Sequence, residues 1–150
     1  MYMDIGKIPK RYVPKTLSKR DREKQLKNIK KSRKLYKTGK YYTRPVVKSF
    51  RSRPSSHVKT AKQMYQVKTI DATPELAKKS GCSVDALEQI LTKGRGAYYS
   101  SGSRPNQTAE SWAKARLASS LTGGKASKVD YSILKEGCRA DSLALKLAIK

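Results

Sequence analysis

A mainly α fold is what the sequence predicts, with a small compact helical domain over about residues 69–150 preceded by a long basic, largely extended arm over residues 1–68. Three observations carry that reading. Charge is lopsided within a net +24: residues 1 to 70 hold 22 Lys/Arg against 3 Asp/Glu, whereas residues 71 to 150 hold 13 against 8. A first half so cationic repels itself unless an anionic or acidic partner neutralises it. The second half is punctuated as short helices are, with Thr, Ser and Asp starts and glycine stops. The first half instead scatters prolines and aromatics among its cations.

Taken in order, residues 1 to 17 carry Tyr2, Ile5, Ile8, Tyr12 and Val13 around Pro9 and Pro14, an extended pattern with apolar anchors. Ser18 then opens a helix near 18–36, with Asp21 three residues on as a capping-box partner and Gly39 as the stop. Leu26, Ile29 and Tyr36 make its thin apolar stripe, and Arg20, Lys27, Lys31 and Arg33 are among the cations around it. From Lys40 to Pro54 aromatic or branched residues alternate with cations. Pro45 argues for an edge strand or a free extended segment there. Ser55 or Ser56 caps a short helix near 56–65.

In the compact region Thr73 and Pro74 start a helix that Gly81 ends, and Ser83 starts another that Gly94 ends. Thr108 caps the helix of Trp112, with Ala113, Leu117 and Leu121 as its stripe and Gly123–Gly124 as its stop. Asp130 caps a turn through Ile133 and Leu134. The segment from Ser142 to Lys150 alternates like a strand yet has helix-forming residues, and its helical neighbours favour helix with Asp141 as cap.

Enzyme chemistry finds little support. LTGGKAS fails the P-loop pattern, because Ala126 follows Lys125 and Ser119 stands where the first glycine belongs. His57 is the single histidine, and 11 acids are dispersed. Cys82 and Cys138 are too few for a disulfide scaffold or, with one histidine, for a four-ligand zinc site, so two idle or buried thiols and no metal or cofactor are expected. No apolar run approaches the ~20 residues that span a bilayer, and MYMDIGKIPKR lacks the apolar core of a signal peptide.

Two sets of residues are candidates for binding. The arm offers Tyr12, Arg20, Lys27, Lys31, Arg33, Tyr36, Tyr41, Tyr42, Arg44, Phe50 and Arg51, in which aromatics interleaved with cations suit base stacking with phosphate contact, or insertion into protein pockets. The loop before the Trp112 helix offers Arg95, Tyr98, Tyr99, Arg104 and Thr108 as a candidate anion site, since loop amides and a helix N-terminus would face Arg104.

The segments RYVPKTLSKRDREKQ from Arg11, KSRKLYKTGKYYTRP from Lys31 and KGRGAYYSSGSRPNQTAESWAKARLASSLTGGKASKVDYSIL from Lys93, with Gly137–Cys138, resemble a family of small basic proteins of nucleocytoplasmic large DNA viruses of algae and amoebae. AYYSSGSRPNQT and LTGGKA are the specific parts. The resemblance implies a virion setting, after synthesis in the host cytoplasm, and no catalytic residue. On that footing the expected function is a non-enzymatic minor capsid protein whose arm staples the major capsid protein and other shell proteins. The alternative is a protein that tethers or condenses double-stranded DNA.

Overall fold

The computed structural model describes residues 8–150, and it divides the chain into two compact units. The first joins the described residues up to Arg53 with Gly96–Ala109; the second joins Pro54–Arg95 with Glu110–Lys150. Every regular element among the described residues is helical.

In the first unit a 3-10 turn at Lys10–Tyr12 precedes α1, Lys19–Lys37. Ser18 caps α1 by accepting from the Asp21 N–H at 3.1 Å. The other half of the expected capping box goes elsewhere. Asp21 accepts the Ser49 N–H at 2.8 Å, and the Ser18 N–H donates to Ser49 Oγ at 3.0 Å, so Ser49 completes the cap from a distant part of the chain. These bonds to Ser49, with Lys24 and Arg20 nearby, hold the Asp21 carboxyl below its usual range. The stabilisation that goes with a depressed carboxylate is present above the unfolded-state pKa and is lost as pH falls through the folded one.

Of the predicted stripe on α1, Ile29 is buried and Tyr36 half-buried, but Leu26 is not. Gln25, Ile29 and Ser32 are buried, whereas Leu26 is 36% exposed. The reason is that α1 packs against backbone. Gln25 Nε2 donates to the carbonyls of Tyr12 (3.1 Å) and Ser103 (3.4 Å), and Ser32 Oγ donates to that of Tyr99 (2.9 Å). Tyr12, Leu17, Val47 and Tyr98 supply the apolar part of the interior. Gly102, at φ 132°, ends the chain's approach to it. A Cβ there would sit 3.2 Å from both Ile29 Cγ2 and Tyr12 Cδ2.

Residues 40–47 form no regular element, neither the edge strand nor the free segment that Pro45 suggested. Side chains satisfy their backbone: the Arg44 N–H donates to the Tyr98 hydroxyl (3.0 Å), and Asn106, at φ 62°, pairs its amide with the N–H and carbonyl of Val47. The long extended arm therefore gives way to a folded unit. Its helices fall where the sequence put them, α1 at Lys19–Lys37 and α2 at Ser56–Tyr65, while the division between units falls after Arg53 rather than at 68. The part of the arm before residue 8 lies outside the described residues.

The second unit contains α2, α3 (Pro74–Ser80), most of α4 (Val84–Ser100), nearly all of α5 (Ala109–Leu121), α6 (Lys125–Val129), α7 (Tyr131–Gly137) and α8 (Leu143–Ile149). Ser55 caps α2, and Thr73, with Pro74 at the first helical position, caps α3. Ala113, Leu117 and Leu121 are fully buried with Leu76, Leu87, Ile90, Leu91 and Leu134, each leucine or isoleucine contributing ~1.5–3 kcal/mol when taken from water. The C-terminal segment is helical, capped by Ser142 instead of Asp141. Asp130 precedes α7 without capping it through its side chain. Its fully buried carboxylate receives Arg116 (2.7 and 3.0 Å) and the Ser120 hydroxyl (2.7 Å).

Two expectations fail here for instructive reasons. Gly94 does not stop its helix. It lies inside α4, where the missing side chain lets α5 come close, since a Cβ would meet Ala113 Cα at 2.6 Å. In an exposed helix Gly→Ala gains ~1 kcal/mol, but overlap with backbone costs ~1–3 kcal/mol. Gly94→Ala is therefore expected to lower the thermal midpoint, while Gly96→Ala, whose Cβ would meet only the Tyr36 hydroxyl at 3.5 Å, raises it. Circular dichroism melts of the two variants check the pair. Second, the two cysteines are not idle: Cys82 and Cys138 form a disulfide across a single antiparallel bridge, flanked by Ser83 N–H to Gly137 O and Arg139 N–H to Gly81 O, both 2.8 Å.

Candidate nucleic-acid interface

Because α1 buries polar and short side chains, its cations are left outside. Residues 1–53 and 96–109 together hold 20 Lys/Arg against 3 Asp/Glu, leaving +17, while the second unit holds 15 against 8, leaving +7. The ion pairs Lys79–Glu75, Arg95–Glu88, Arg95–Glu110, Arg116–Asp130 and Arg139–Asp141 all belong to the second unit. Among the described residues, the first unit thus presents its charge with little internal neutralisation.

One face of α1 organises that charge. Arg20, Glu23, Lys24, Lys27, Asn28 and Lys31 line an open groove. Residues 42–46 flank it: Lys24 Nζ donates to the Val46 carbonyl (3.1 Å), the Tyr42 hydroxyl donates to Asn28 Oδ1 (2.8 Å), and the Lys31 ammonium stands 4.6 Å over the Tyr42 ring. Arg20 and Lys31 are separated by about 16 Å along the helix axis, a run over which one strand of a duplex presents roughly five phosphates. At the C-terminal end of α1, the rings of Tyr36, Tyr41 and Tyr99 gather with centroids 5.1–6.2 Å apart, and Tyr41 is 72% exposed.

Other sequence-predicted residues have different roles. Arg44 is buried, with its guanidinium 3.7 Å from the Tyr98 ring centroid and donating to Ser32 Oγ (2.9 Å), the Tyr98 carbonyl (2.7 Å) and Ser103 Oγ (2.8 Å). Burial pulls its pKa down from the ordinary guanidinium range, opposed by the neighbouring tyrosines. Tyr12 is buried under the Arg11 guanidinium, and Arg33 Nε donates to the Ser101 carbonyl at 2.8 Å. Tyr12 and Arg44 are not available on the surface as Arg20, Lys27, Lys31 and Arg51 are; Arg33, Tyr36, Tyr42 and Phe50 are half-buried.

The candidate anion loop does not assemble as drawn. Arg95 lies in the second unit, bound to Glu110 (2.6 Å) and Glu88 (3.1 Å), with the Glu110 bond first among the causes that raise its pKa. Tyr98 is fully buried, its hydroxyl accepting from the Arg44 N–H and donating to the Gln107 carbonyl (3.1 Å). The loop closes around a cation, the Arg44 guanidinium, and Arg104 and Thr108 lie exposed.

Sequence reasoning missed the polar partners of this centre, Ser32, Ser103 and Asn106. It also missed that each tyrosine pair divides: Tyr98 goes inward and Tyr99 to the ring cluster, while Tyr42 joins the groove and Tyr41 the cluster. Among the described residues no group of three or more His, Cys, Asp or Glu could hold a metal ion, and no helix is long and apolar enough to cross a membrane.

Fold and surface together define a small helical protein that carries a strongly cationic helix and a cluster of tyrosines. The chain belongs to a family of unknown function (DUF5824), whose family model matches residues 9–137. No curated protein and no solved structure matches it.

Proposed function

We propose that the protein is a non-enzymatic nucleic-acid-binding protein that contacts phosphates through α1. The observation that supports this best is the groove of Arg20, Lys24, Lys27 and Lys31, whose charge lies on a helix with its own polar anchorage and so stays organised without a ligand. Binding of this kind releases counterions, and affinity falls steeply with salt. In a fluorescence anisotropy titration against duplex over a salt series, replacing Arg20, Lys27 and Lys31 together by glutamine is expected to reduce the slope of log K against log[salt] by about 2–3. An unchanged slope, or no binding at low salt, would count against the proposal. The resemblance to proteins of large DNA viruses makes a viral genome the natural ligand and the virion the natural location.

The second reading is a minor capsid protein that contacts the major capsid protein and other shell proteins. It draws support from Tyr41 and Val46, respectively 72% and 62% exposed and five residues apart in the chain, where apolar surface would suit a protein pocket. Cross-linking of purified particles separates the two: lysine links to a few shell-protein positions favour the capsid, and links to DNA favour the genome.

A further inference from the structure

We infer that the cluster of Tyr36, Tyr41 and Tyr99 is a stacking platform for unpaired bases, which makes single-stranded nucleic acid the preferred ligand class; this rests on the nucleic-acid reading above. Three features of the cluster point there. It is anchored. Tyr36 rides on α1, the Tyr99 carbonyl is held by Ser32 Oγ, and the Tyr99 ring meets Tyr98 edge-on at 86° with centroids 5.1 Å apart. Ordering cost on binding is therefore small. It is open, for Tyr41, the outermost ring, lies 5.1 Å from Tyr99 and 6.1 Å from Tyr36 and remains 72% exposed. Three gathered rings with one left this open are poorly explained as packing alone.

The third feature is position. The cationic groove ends at Lys31, whose ammonium lies 4.6 Å over the Tyr42 ring, and the residue next to Tyr42 in the chain is Tyr41, the open ring of the cluster. Lys37 and Lys40, both exposed, stand beside the cluster in the chain. A strand whose phosphates follow the groove can thus lay a base on Tyr41. In a duplex both faces of every internal base are already covered, so the rings have nothing to stack on. Stacking on aromatic side chains is tolerant of sequence, and loss of one ring weakens binding about 5- to 150-fold.

The test uses the full chain and two labelled probes, an oligothymidylate of about 20 nucleotides and a duplex of the same length, titrated by fluorescence anisotropy across a salt series. The single strand is expected to bind more tightly than the duplex. Tyr41→Ala should weaken the single strand about 5-fold or more while leaving its salt slope and the duplex affinity unchanged, and Tyr41→Trp should restore binding. Tyr41 is exposed, so an unaltered thermal melt checks that Tyr41→Ala folds. Equal affinity for both probes, or equal weakening of both by Tyr41→Ala, overturns the stacking platform and leaves the phosphate groove standing. Binding of neither probe at low salt overturns the nucleic-acid reading itself and the platform with it.

Discussion

Arg44→Met is expected to destabilise the first unit by about 3–5 kcal/mol. The substitution keeps most of the side-chain volume but removes the donors to Ser32 Oγ, the Tyr98 carbonyl and Ser103 Oγ, together with the cation over the Tyr98 ring. A buried acceptor left without a donor costs about 1–3 kcal/mol, and a desolvated cation–ring contact is worth about 2 kcal/mol. Removing a whole buried polar set can be neutral, whereas removing one partner strands the others. The unit has few apolar side chains to compensate: among its described residues Tyr12, Leu17, Ile29, Val47, Tyr98 and Ala109 are the buried ones. A loss of this size is comparable with the whole stability of a small domain. Hydrogen exchange of the α1 amides checks it: protection should collapse in Arg44→Met, and protection within about 0.5 kcal/mol of wild type would disprove the role given to Arg44.

Opening the Cys82–Cys138 bond should cost the second unit about 4 kcal/mol, from the chain entropy that a cross-link spanning 56 residues removes from the unfolded state. The double variant Cys82→Ser/Cys138→Ser avoids stray thiol chemistry. Guanidinium unfolding of that variant should show a lower midpoint with a larger dependence on denaturant, because the unlinked chain exposes more surface on unfolding. Equal midpoints for the two proteins would mean that the bond contributes little beyond the packing around it.

Local signals made most of the helical fold legible. Ser18, Ser55 and Thr73 stand at helix starts as their hydrogen-bonding capacity requires, and the spacing of Ala113, Leu117 and Leu121 marks the buried face of α5. Readings failed where a residue answers to something remote in sequence. Gly94 looks like a stop until Ala113 is known to lie against it, and two distant cysteines give no sign of pairing. The candidate site was half legible for the same reason. Composition revealed a cationic segment interleaved with tyrosines, but whether a given cation faces out or in depends on tertiary partners. Arg44 and Lys31 are alike in composition; Ser32, Ser103 and the Tyr98 carbonyl make the first a core residue.

The first unit is discontinuous in the chain, and this has a consequence during synthesis. Tyr98, Ser103 and Asn106 hold Arg44 and Val47, yet they are made more than 50 residues after them. At roughly 5–20 residues per second, the basic N-terminal segment waits for several seconds before its last structural partners leave the ribosome. Throughout that interval α1 lacks the carbonyls of Tyr99 and Ser103 that anchor it, and its lysines and arginines are presented by an incomplete unit. Any polyanion within reach of the ribosome meets this segment before its fold is finished, so the order of the chain makes assembly of the first unit sensitive to the ligand that its surface is suited to hold.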